Sequence, residues 1–334
     1  MILAGDIGGT KTRLAFFTVA GERLQSLGEE TFLSRHYGGL EEIVRAFVSR
    51  QQLAVTHSGF GIAGPVKHGR CETTNLPWVV DARQLASQLG IASVVLLNDL
   101  EANAYGVVTL EAKDFMVLNP GALDADGNAA IIAAGTGLGE AGFYWDGAQH
   151  HPFACEGGHA DFAPRNELET ELLRYLLTRF AHVSYERVLS GPGLYNIYQF
   201  LRDTGRGEEP AWLSEELRQQ DPAATISQAA LSGRCALCVQ ALDLFVSLYG
   251  AEAGNLALKV MATGGLYVGG GIAPKIMQKL QDATFMQAFT AKGRMQPLLE
   301  AIPVRVILND KTALLGAAHC ARLRAAKNEG LVGA

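Results

Sequence analysis

The sequence contains little cysteine, no surplus of positive charge and no long uninterrupted apolar run. Five widely spaced cysteines in 334 residues, an odd number, do not predict a disulfide framework and fit a reducing cytoplasm. The 28 basic and 34 acidic residues give a net charge of −6, which excludes the basic surface that nucleic acid or an anionic membrane requires. The longest apolar stretches are interrupted before the ~18 residues of a transmembrane helix. Because the chain opens on an apolar strand rather than a signal peptide, we expect a soluble, cytoplasmic protein.

The composition is that of a globular protein rich in glycine. Hydrophobic residues make up 48% of the chain and charged residues 19%, enough to bury a sizeable core. Glycine accounts for 38 of the 334 residues, well above the roughly 7% of average proteins. Such a surplus indicates many tight turns or close approaches of the backbone to a ligand.

The order of apolar runs and turns predicts a mixed α/β fold with a weak internal repeat. A strand–glycine turn–strand pattern opens the chain at 2–19 and returns at 129–145. Further strands are expected at 30–33, 58–63, 93–97, 114–118, 266–269 and 304–308. Helices are expected at 41–48, 82–89, 166–180, 184–189, 192–203, 223–231, 235–262 and 311–326. We expect two intimately joined α/β domains, a small one at 1–110 plus 302–334 and a larger one at 111–301.

The first glycine turn carries the sharpest chemical signal. A hairpin with two glycines lets backbone N–H groups approach phosphate oxygens without a Cβ in the way. A carboxylate just before the turn can hold Mg²⁺, through water, since Mg²⁺ keeps several of its waters. The alternative is an ordinary glycine turn with a solvated Asp. The candidate nucleotide-binding residues are Gly5, Asp6, Ile7, Gly8, Gly9 and Thr10, with Asp6 the candidate metal residue.

Two later glycine clusters extend the phosphate hypothesis. Gly135, Thr136 and Gly137 form a second turn between apparent strands. A G-x-G-x-x-G pattern at 137–142 matches the dinucleotide fingerprint, but the extended segment that follows excludes it, because that fingerprint requires a helix. Gly270 and Gly271 follow a short strand and suit a backbone that passes a flat ring or a ribose. A helix-joining loop is the alternative for this last cluster.

Several polar residues interrupt apolar surroundings. Asn98 and Asp99 lie where a buried strand meets a helix, and an Asp at the positive end of a helix can accept a proton from an attacking hydroxyl. A plain helix N-cap is the alternative. Glu156, His159 and Glu186 are suited to read sugar hydroxyls. A core histidine and a surface glutamate are the alternatives here.

Together these segments resemble the sugar kinase/heat-shock ATPase/actin superfamily and, within it, the bacterial glucokinase family. The matching stretches run in family order. They are Gly-Asp-Ile-Gly-Gly-Thr at 5–10, Asn-Asp at 98–99, Gly-Thr-Gly-Leu-Gly at 135–139, Glu-Gly-Gly-His-Ala-Asp-Phe-Ala-Pro at 156–164, Glu-Arg-Val-Leu-Ser-Gly-Pro-Gly-Leu at 186–194, Gly-Asn-Leu-Ala-Leu at 254–258 and Gly-Gly-Gly-Ile-Ala-Pro at 269–274. The resemblance implies a two-domain actin-like ATPase (ribonuclease H-like) fold with an interdomain cleft.

The resemblance also implies an activity and its residues. It implies phosphorylation of the 6-hydroxyl of glucose by Mg²⁺-ATP, with Asp99 as the base. It implies glucose contacts from Asn98, Glu156, His159 and Glu186, and a homodimer. Three rivals stay open at this point: another hexose or amino-sugar kinase, a sugar-sensing transcription regulator, and an ATPase that needs no sugar.

Two departures from the family pattern concern charge and zinc. Lys11 and Thr12 stand where the group more usually has Asn-Ala. A Lys-Thr pair at this place is similar to related sugar kinases that carry a cysteine-rich zinc motif. Lys11 could add a charge near the phosphates, but we expect it to be a solvated turn residue. No cysteine cluster follows His159, so we predict no zinc. Cys235 and Cys238 form a lone C-x-x-C on a helical pattern, and we expect them to be helix-packing thiols.

Overall fold

The computed structural model describes residues 1–21, 23–51, 53–73 and 76–331, and the chain divides into two compact units. The first unit comprises Met1–Ala112, Pro152–Ala154 and Asn309–Ala334. The second comprises Lys113–His151 and Cys155–Leu308. Each unit is an α/β structure built around its own main sheet.

Both units contain strands and helices, with strands in succession in each and a run of consecutive helices between residues 167 and 260 in the second. The strands are β1 Ile2–Ile7, β2 Lys11–Ala20, β3 Arg23–Leu33, β4 His57–Ile62, β5 Val66–Lys67, β6 Arg70–Glu72, β7 Val79–Asp81, β8 Ser93–Asn98, β9 Phe115–Asn119, β10 Ala129–Ala134, β11 Leu138–Trp145, β12 His150–Cys155, β13 Gly265–Gly269 and β14 Val304–Ile307. The helices are α1 Leu40–Gln51, α2 Ala82–Leu89, α3 Asp99–Val107, α4 Glu167–Leu177, α5 Gly191–Asp203, α6 Ala211–Gln219, α7 Pro222–Leu231, α8 Ala236–Val260, α9 Met277–Leu280, α10 Ala283–Thr290, α11 Gln296–Ala301 and α12 Thr312–Leu331.

The five strands of the first main sheet follow the same order as five of the six strands of the second, to which β9 is added at one edge. The first has the strand order β3-β2-β1-β4-β8, and the second has β12-β11-β10-β13-β14-β9. In each, a central strand pairs antiparallel with the next strand along the chain and parallel with a later one, as β1 does with β2 and β4, and β10 with β11 and β13. The repeat seen in the sequence is therefore a duplication of this sheet. The fold is the expected actin-like, ribonuclease H-like α/β fold.

In the first unit, close backbone contacts seat the helices that lead to the site. A Cβ built on Gly316 of α12 would lie 1.7 Å from the carbonyl oxygen of Ala102 in α3. A Cβ on Gly106 of α3 would lie 2.0 Å from the carbonyl oxygen of Thr312. Glycine at both positions lets the two helices touch backbone to backbone, which fixes how α3 packs against α12.

In the second unit, α8 is the central core helix. It is long and apolar enough to cross a membrane by length and composition, but 72% of its apolar window is buried inside the protein. Its Tyr249 is fully buried, and its hydroxyl accepts a hydrogen bond from the backbone N–H of Ala134 at 3.1 Å. The apolar helix α8 therefore packs against β10 in the core of the second unit.

The structure differs from the sequence-based expectations at a few elements. Residues 302–334 were expected with the first domain, but β14 within that segment pairs with β13 and β9 in the six-stranded sheet. The helix expected at 184–189 is a single 3₁₀ turn, Tyr185–Arg187. The small sheet β5-β6-β7 and the helix α6 have no counterpart in the expectations. The exclusion of a dinucleotide fingerprint is confirmed, because the strand β11 follows the second glycine turn.

Candidate active site

The first glycine turn joins β1 to β2 and is braced from behind. The backbone N–H of Gly8 donates to the carbonyl oxygen of Lys11 at 2.9 Å, which closes the turn. The hydroxyl of Ser34 donates to the carbonyl oxygen of Gly8 at 2.8 Å and lies 3.0 Å from the hydroxyl of Thr12. Thr12 and Ser34 are both fully buried. Sequence reasoning missed this brace, because a serine 26 residues from the glycine carries no local signal.

Glycine at position 5 and charge at position 11 are explained by their surroundings. A Cβ on Gly5 would lie 2.6 Å from the Phe60 ring and 2.7 Å from a Leu14 methyl, so only glycine fits between these core side chains. Lys11, in contrast, is exposed at the start of β2. Its side chain is open to solvent, as expected, but it belongs to the strand rather than to the turn.

Asp6 lies in β1 directly opposite Arg13 of β2. Burial raises the pKa of its carboxyl, Arg13 opposes that rise, and Asp310 adds to it. Arg13 is itself held by Asp310, with a guanidinium N–H donating to the carboxylate at 3.0 Å. A cation beside Asp6 would stabilise the ionised form that burial disfavours, and carboxylate oxygen is the ligand type that Mg²⁺ prefers. Asp6 therefore fits the metal role expected for it.

Asn98 and Asp99 stand at the junction of β8 and α3. Asn98 is the N-cap: its Oδ1 accepts from the backbone N–H of Leu100 at 2.8 Å, and its Nδ2 donates to the carbonyl oxygen of Gly64 at 3.2 Å. Asp99 is the first residue of α3, and its Oδ1 also accepts from Leu100, at 2.9 Å. The plain capping role is thus already filled by Asn98. Asp99 adds a carboxylate at the positive end of the helix dipole.

The second glycine turn joins β10 to β11 and is locked to two neighbours. The backbone N–H of Gly135 donates to the carbonyl oxygen of Gly137, and that of Gly191 donates to the carbonyl oxygen of Gly135, both at 2.8 Å. A carboxylate oxygen of Glu186 accepts from the backbone N–H of Leu138 at 3.0 Å. A Cβ on Gly137 would lie 2.5 Å from that same oxygen. Glu186 is therefore a residue of the hairpin environment rather than a surface charge.

A cavity of about 660 Å³ opens beside this hairpin within the second unit. Its walls include Gly135 and Thr136 of the hairpin, Gly191 and Tyr195 of α5, and Gly271 after β13. Gly191 follows the N-cap of α5, Ser190, whose hydroxyl accepts from the backbone N–H of Gly193 at 3.0 Å. The cavity thus combines a glycine turn with a helix N-terminus, two features that suit an anion. Gly191 and Tyr195 were not identified as cavity residues from the sequence.

The two glycines after β13 have different roles. Gly270 has a φ of +83°, and a Cβ there would lie 2.3 Å from the carbonyl oxygen of Ala134. A Cβ on Gly271 would meet nothing within 4 Å, and this residue lines the cavity. The first glycine is therefore required by the fold, and the second faces the space that a ligand can enter.

The Glu-Gly-Gly-His block forms an exposed 3₁₀ turn next to β11. The side chains of Glu156 and His159 are 68% and 60% exposed, with Oε2 and Nε2 4.0 Å apart. The turn is tied to the segment that carries Glu186, since the backbone N–H of Tyr185 donates to the carbonyl oxygen of Ala160 at 3.0 Å. Within the second unit, the structure therefore brings the predicted sugar-binding turn, Glu186 and the second glycine hairpin into one region.

In the part of the chain that the structure describes, cysteine and other metal-ligand residues form no second site of this kind. Among the described residues, no three His, Cys, Asp or Glu side chains are grouped so as to hold a metal ion. Cys235 is the N-cap of α8, Cys238 lies in its first turn, and both are buried. Burial raises the pKa of the Cys238 thiol, which disfavours the reactive thiolate. Their placement in the core confirms that they are helix-packing thiols.

Comparison with known proteins places the chain in a family. The glucokinase family profile matches residues 3–324. Glucokinases of Nostoc sp. and Synechocystis sp. are 44% and 45% identical to this chain over 96% of it, covering 98% and 97% of their own lengths. The crystal structure of a glucokinase from an Antarctic psychrotroph superposes with a TM-score of 0.85 at 31% identity, over 96% of this chain and 98% of that one. A motif order, a duplicated sheet and full-length similarity thus agree, and the chain belongs to the glucokinase family.

Proposed function

We propose that this glucokinase family member transfers the γ-phosphoryl group of Mg²⁺-ATP to the 6-hydroxyl of glucose, with Asp99 as the base. The observation that carries the proposal is the grouping within the second unit. The exposed Glu156–His159 turn, Glu186 and the 660 Å³ cavity all adjoin the same glycine hairpin. A kinase requires such a grouping of phosphate-binding backbone, a nucleotide-sized space and side chains that read hydroxyls.

The nucleotide is proposed to use the cavity and both glycine turns. Gly135 and Gly271 leave open space where a Cβ would otherwise stand, so the backbone can approach a ligand closely. Phosphate oxygens would accept hydrogen bonds from backbone N–H groups of Gly135–Gly137 and of Gly8–Thr10. Asp6 would hold the Mg²⁺ that accompanies ATP. When bound, this Mg²⁺ neutralises charge at the phosphates.

Glucose is proposed to be held by Asn98, Glu156, His159 and Glu186. Carboxylates accept hydrogen bonds from adjacent hydroxyls, and an imidazole or an amide can donate or accept as required. Glu156 and His159 are exposed, so they can exchange water for sugar hydroxyls. Glu186 is fixed by its bond to Leu138, which would preorganise its carboxylate for the sugar.

Asp99 is proposed to orient the 6-hydroxyl and to accept its proton as that oxygen attacks the γ-phosphorus. The position suits this role because the helix dipole favours a carboxylate at the start of α3. Positioning and electrostatic stabilisation supply most of the rate enhancement in phosphoryl transfer. A base of this kind typically contributes ~10²–10⁴-fold.

The direct test is ADP production from Mg²⁺-ATP without sugar and with glucose, mannose, fructose or N-acetylglucosamine. We expect ADP to form with glucose in a one-to-one ratio to glucose 6-phosphate. A preference for another sugar would point to a related hexose or amino-sugar kinase. Sugar-independent hydrolysis would point to an ATPase instead.

Asp99→Asn tests the base. We expect turnover to fall by at least ~10²-fold while the dissociation constant for glucose stays within about threefold, because the amide keeps the shape but takes no proton. Glu101→Gln is the matched control, since Glu101 lies on the same first turn of α3 but two residues, about 200°, further round the helix. Near-normal turnover of folded Asp99→Asn would exclude the proposed role.

The cellular setting is proposed from the chemistry of the reaction. The product, glucose 6-phosphate, would enter glycolysis from free glucose. All five cysteines are free thiols, which is consistent with a reducing cytoplasm. We also propose a homodimer, which light scattering of the purified protein would test.

A further inference from the structure

Glu140 is a buried carboxyl group for which the proposed reaction has no use. It lies in β11, directly after the second glycine hairpin, and is only 1% exposed. Its Oε1 is buried and has no hydrogen-bond partner anywhere in the described part of the chain. Buried polar atoms in native proteins are nearly always paired, so an orphaned carboxyl oxygen beside a binding region needs an explanation.

The groups around Glu140 disfavour a negative charge. The charge with the strongest effect on Glu140 is that of Glu252 in α8, which is fully buried. The Glu252 carboxylate accepts a hydrogen bond from Asn255 at 2.7 Å and pairs with Lys259 at 3.2 Å. The remaining titratable groups that face this region are Tyr249 of α8, Cys155 at the end of β12, and Tyr185, whose hydroxyl faces Glu252. Among the described residues, the cations that act on Glu252 are Lys259 and Lys292; only Lys259 also acts on Glu140, and Glu252 already pairs with it.

The sugar-binding turn rests directly on this carboxyl group. A Cβ on Gly157 would lie 1.9 Å from Oε2 of Glu140, and a Cβ on Gly158 would lie 2.1 Å from the carbonyl oxygen of Leu138. The two glycines between Glu156 and His159 are therefore needed so that the turn can pack on β11. Glu140 therefore forms part of the surface on which the turn packs and so helps to fix the position of Glu156 and His159.

We propose that Glu140 is a positioning residue for glucose binding: its protonated carboxyl supports the turn that carries Glu156 and His159, and loss of that proton weakens the hold on glucose. The inference rests on the proposed function, since it takes Glu156 and His159 to be sugar contacts.

The electrostatics agree with the geometry. The pKa of Glu140 is raised to about 7, mainly by burial and also by repulsion from Glu252, against the opposing attraction of Lys259. A neutral carboxyl group in this place costs far less than an ionised one with no counter-ion of its own. Above neutrality a second negative charge would form next to Glu252, immediately beneath Gly157. The turn would then move away from β11 or admit water.

The test is the pH dependence of the glucose KM in wild type and in Glu140→Gln, whose amide imitates the protonated acid. Between about pH 6 and about pH 8, either side of the Glu140 transition, we expect the wild-type glucose KM to rise about tenfold, within the roughly 5- to 150-fold typical of coupling between two sites. The KM of Glu140→Gln should change less than about twofold over the same range. Glu216→Gln is the control: it removes a half-buried carboxylate of α6 that pairs with Arg234, and it should keep the wild-type profile.

A second variant separates charge from shape. Glu252→Gln removes the facing carboxylate, so the rise in glucose KM should begin at a lower pH. A wild-type profile that is flat, or a Glu140→Gln profile that rises with the wild type, would overturn the proposal. If Glu156→Gln leaves glucose binding unchanged in calorimetry without ATP, the proposed sugar contacts fail instead. If Glu156→Gln weakens binding but Glu140→Gln leaves the profile unchanged, only the role of Glu140 fails.

Discussion

The titration of the buried Glu140 carboxyl should make the free energy of unfolding, as well as glucose binding, depend on pH. Its pKa is raised from an ordinary 4.5 to about 7, which corresponds to about 3 kcal/mol of differential stabilisation of the protonated form. The folded state holds this proton more tightly than the unfolded state. Glu140 therefore does not lower the free energy of unfolding below about pH 4.5, and it lowers it by the full amount of about 3 kcal/mol above about pH 7. Wild type should therefore lose about 3 kcal/mol relative to Glu140→Gln across this window.

The assay has to report on the second unit alone, since two units need not unfold in one step. Of the three tryptophans, Trp145 and Trp212 lie in the second unit and Trp78 in the first. Urea unfolding followed by tryptophan fluorescence in a Trp78→Phe background would isolate the relevant transition. The free energy of unfolding is measured across the pH window for that background and for the same background with Glu140→Gln.

The comparison is made as a difference, so that all other titrating groups cancel. A difference that stays constant from pH 4.5 to pH 7 would show that Glu140 titrates normally, and the reasoning from its burial and from Glu252 would be wrong. Loss of the difference in a Glu252→Gln background would show that repulsion, rather than burial, is the larger cause.

Three further predictions concern the backbone around the site. Gly270→Ala should lower the melting temperature, because φ at this residue is +83° and a carbonyl oxygen would lie 2.3 Å from the new Cβ. Gly271→Ala, in contrast, should melt as wild type but raise the ATP KM, because its Cβ enters the cavity. Tyr249→Phe should cost about 1–3 kcal/mol in urea unfolding, since it leaves the backbone N–H of Ala134 unpaired in the core. Gly316→Ala should cost about 1–3 kcal/mol or more by separating α12 from α3, and a wild-type melting temperature would contradict this.

Local signals explain which elements the sequence predicted well. The helix expected at 82–89 is α2 with the same bounds. Asp81 caps its start through bonds to two backbone N–H groups, and Gly90 ends it with a φ of +64°. Both signals lie within the segment itself, so they can be read without knowing the rest of the fold. The two glycine hairpins were predicted for the same reason.

Contacts distant in sequence account for most of what was missed. The strand at 304–307 was foreseen, but its place in the second sheet depends on hydrogen bonds to β9 and β13. The Ser34 brace reaches back 26 residues to Gly8. The segment at 184–189 looked helical, yet its backbone bonds to Ala160 and holds the sugar-binding turn instead. In each case tertiary pairing outweighed the local preference.

The sequence by itself determined the family, the order of the phosphate turns and the residue types of the candidate site. Those features depend on short motifs, because a glycine turn or a capped helix needs only its neighbours along the chain. Only the tertiary structure decided what each of these residues faces. Gly157 and Glu140 are 17 positions apart, and neither is unusual alone; packing the turn onto β11 buries the carboxyl beside Glu252 and gives it a pKa near neutrality.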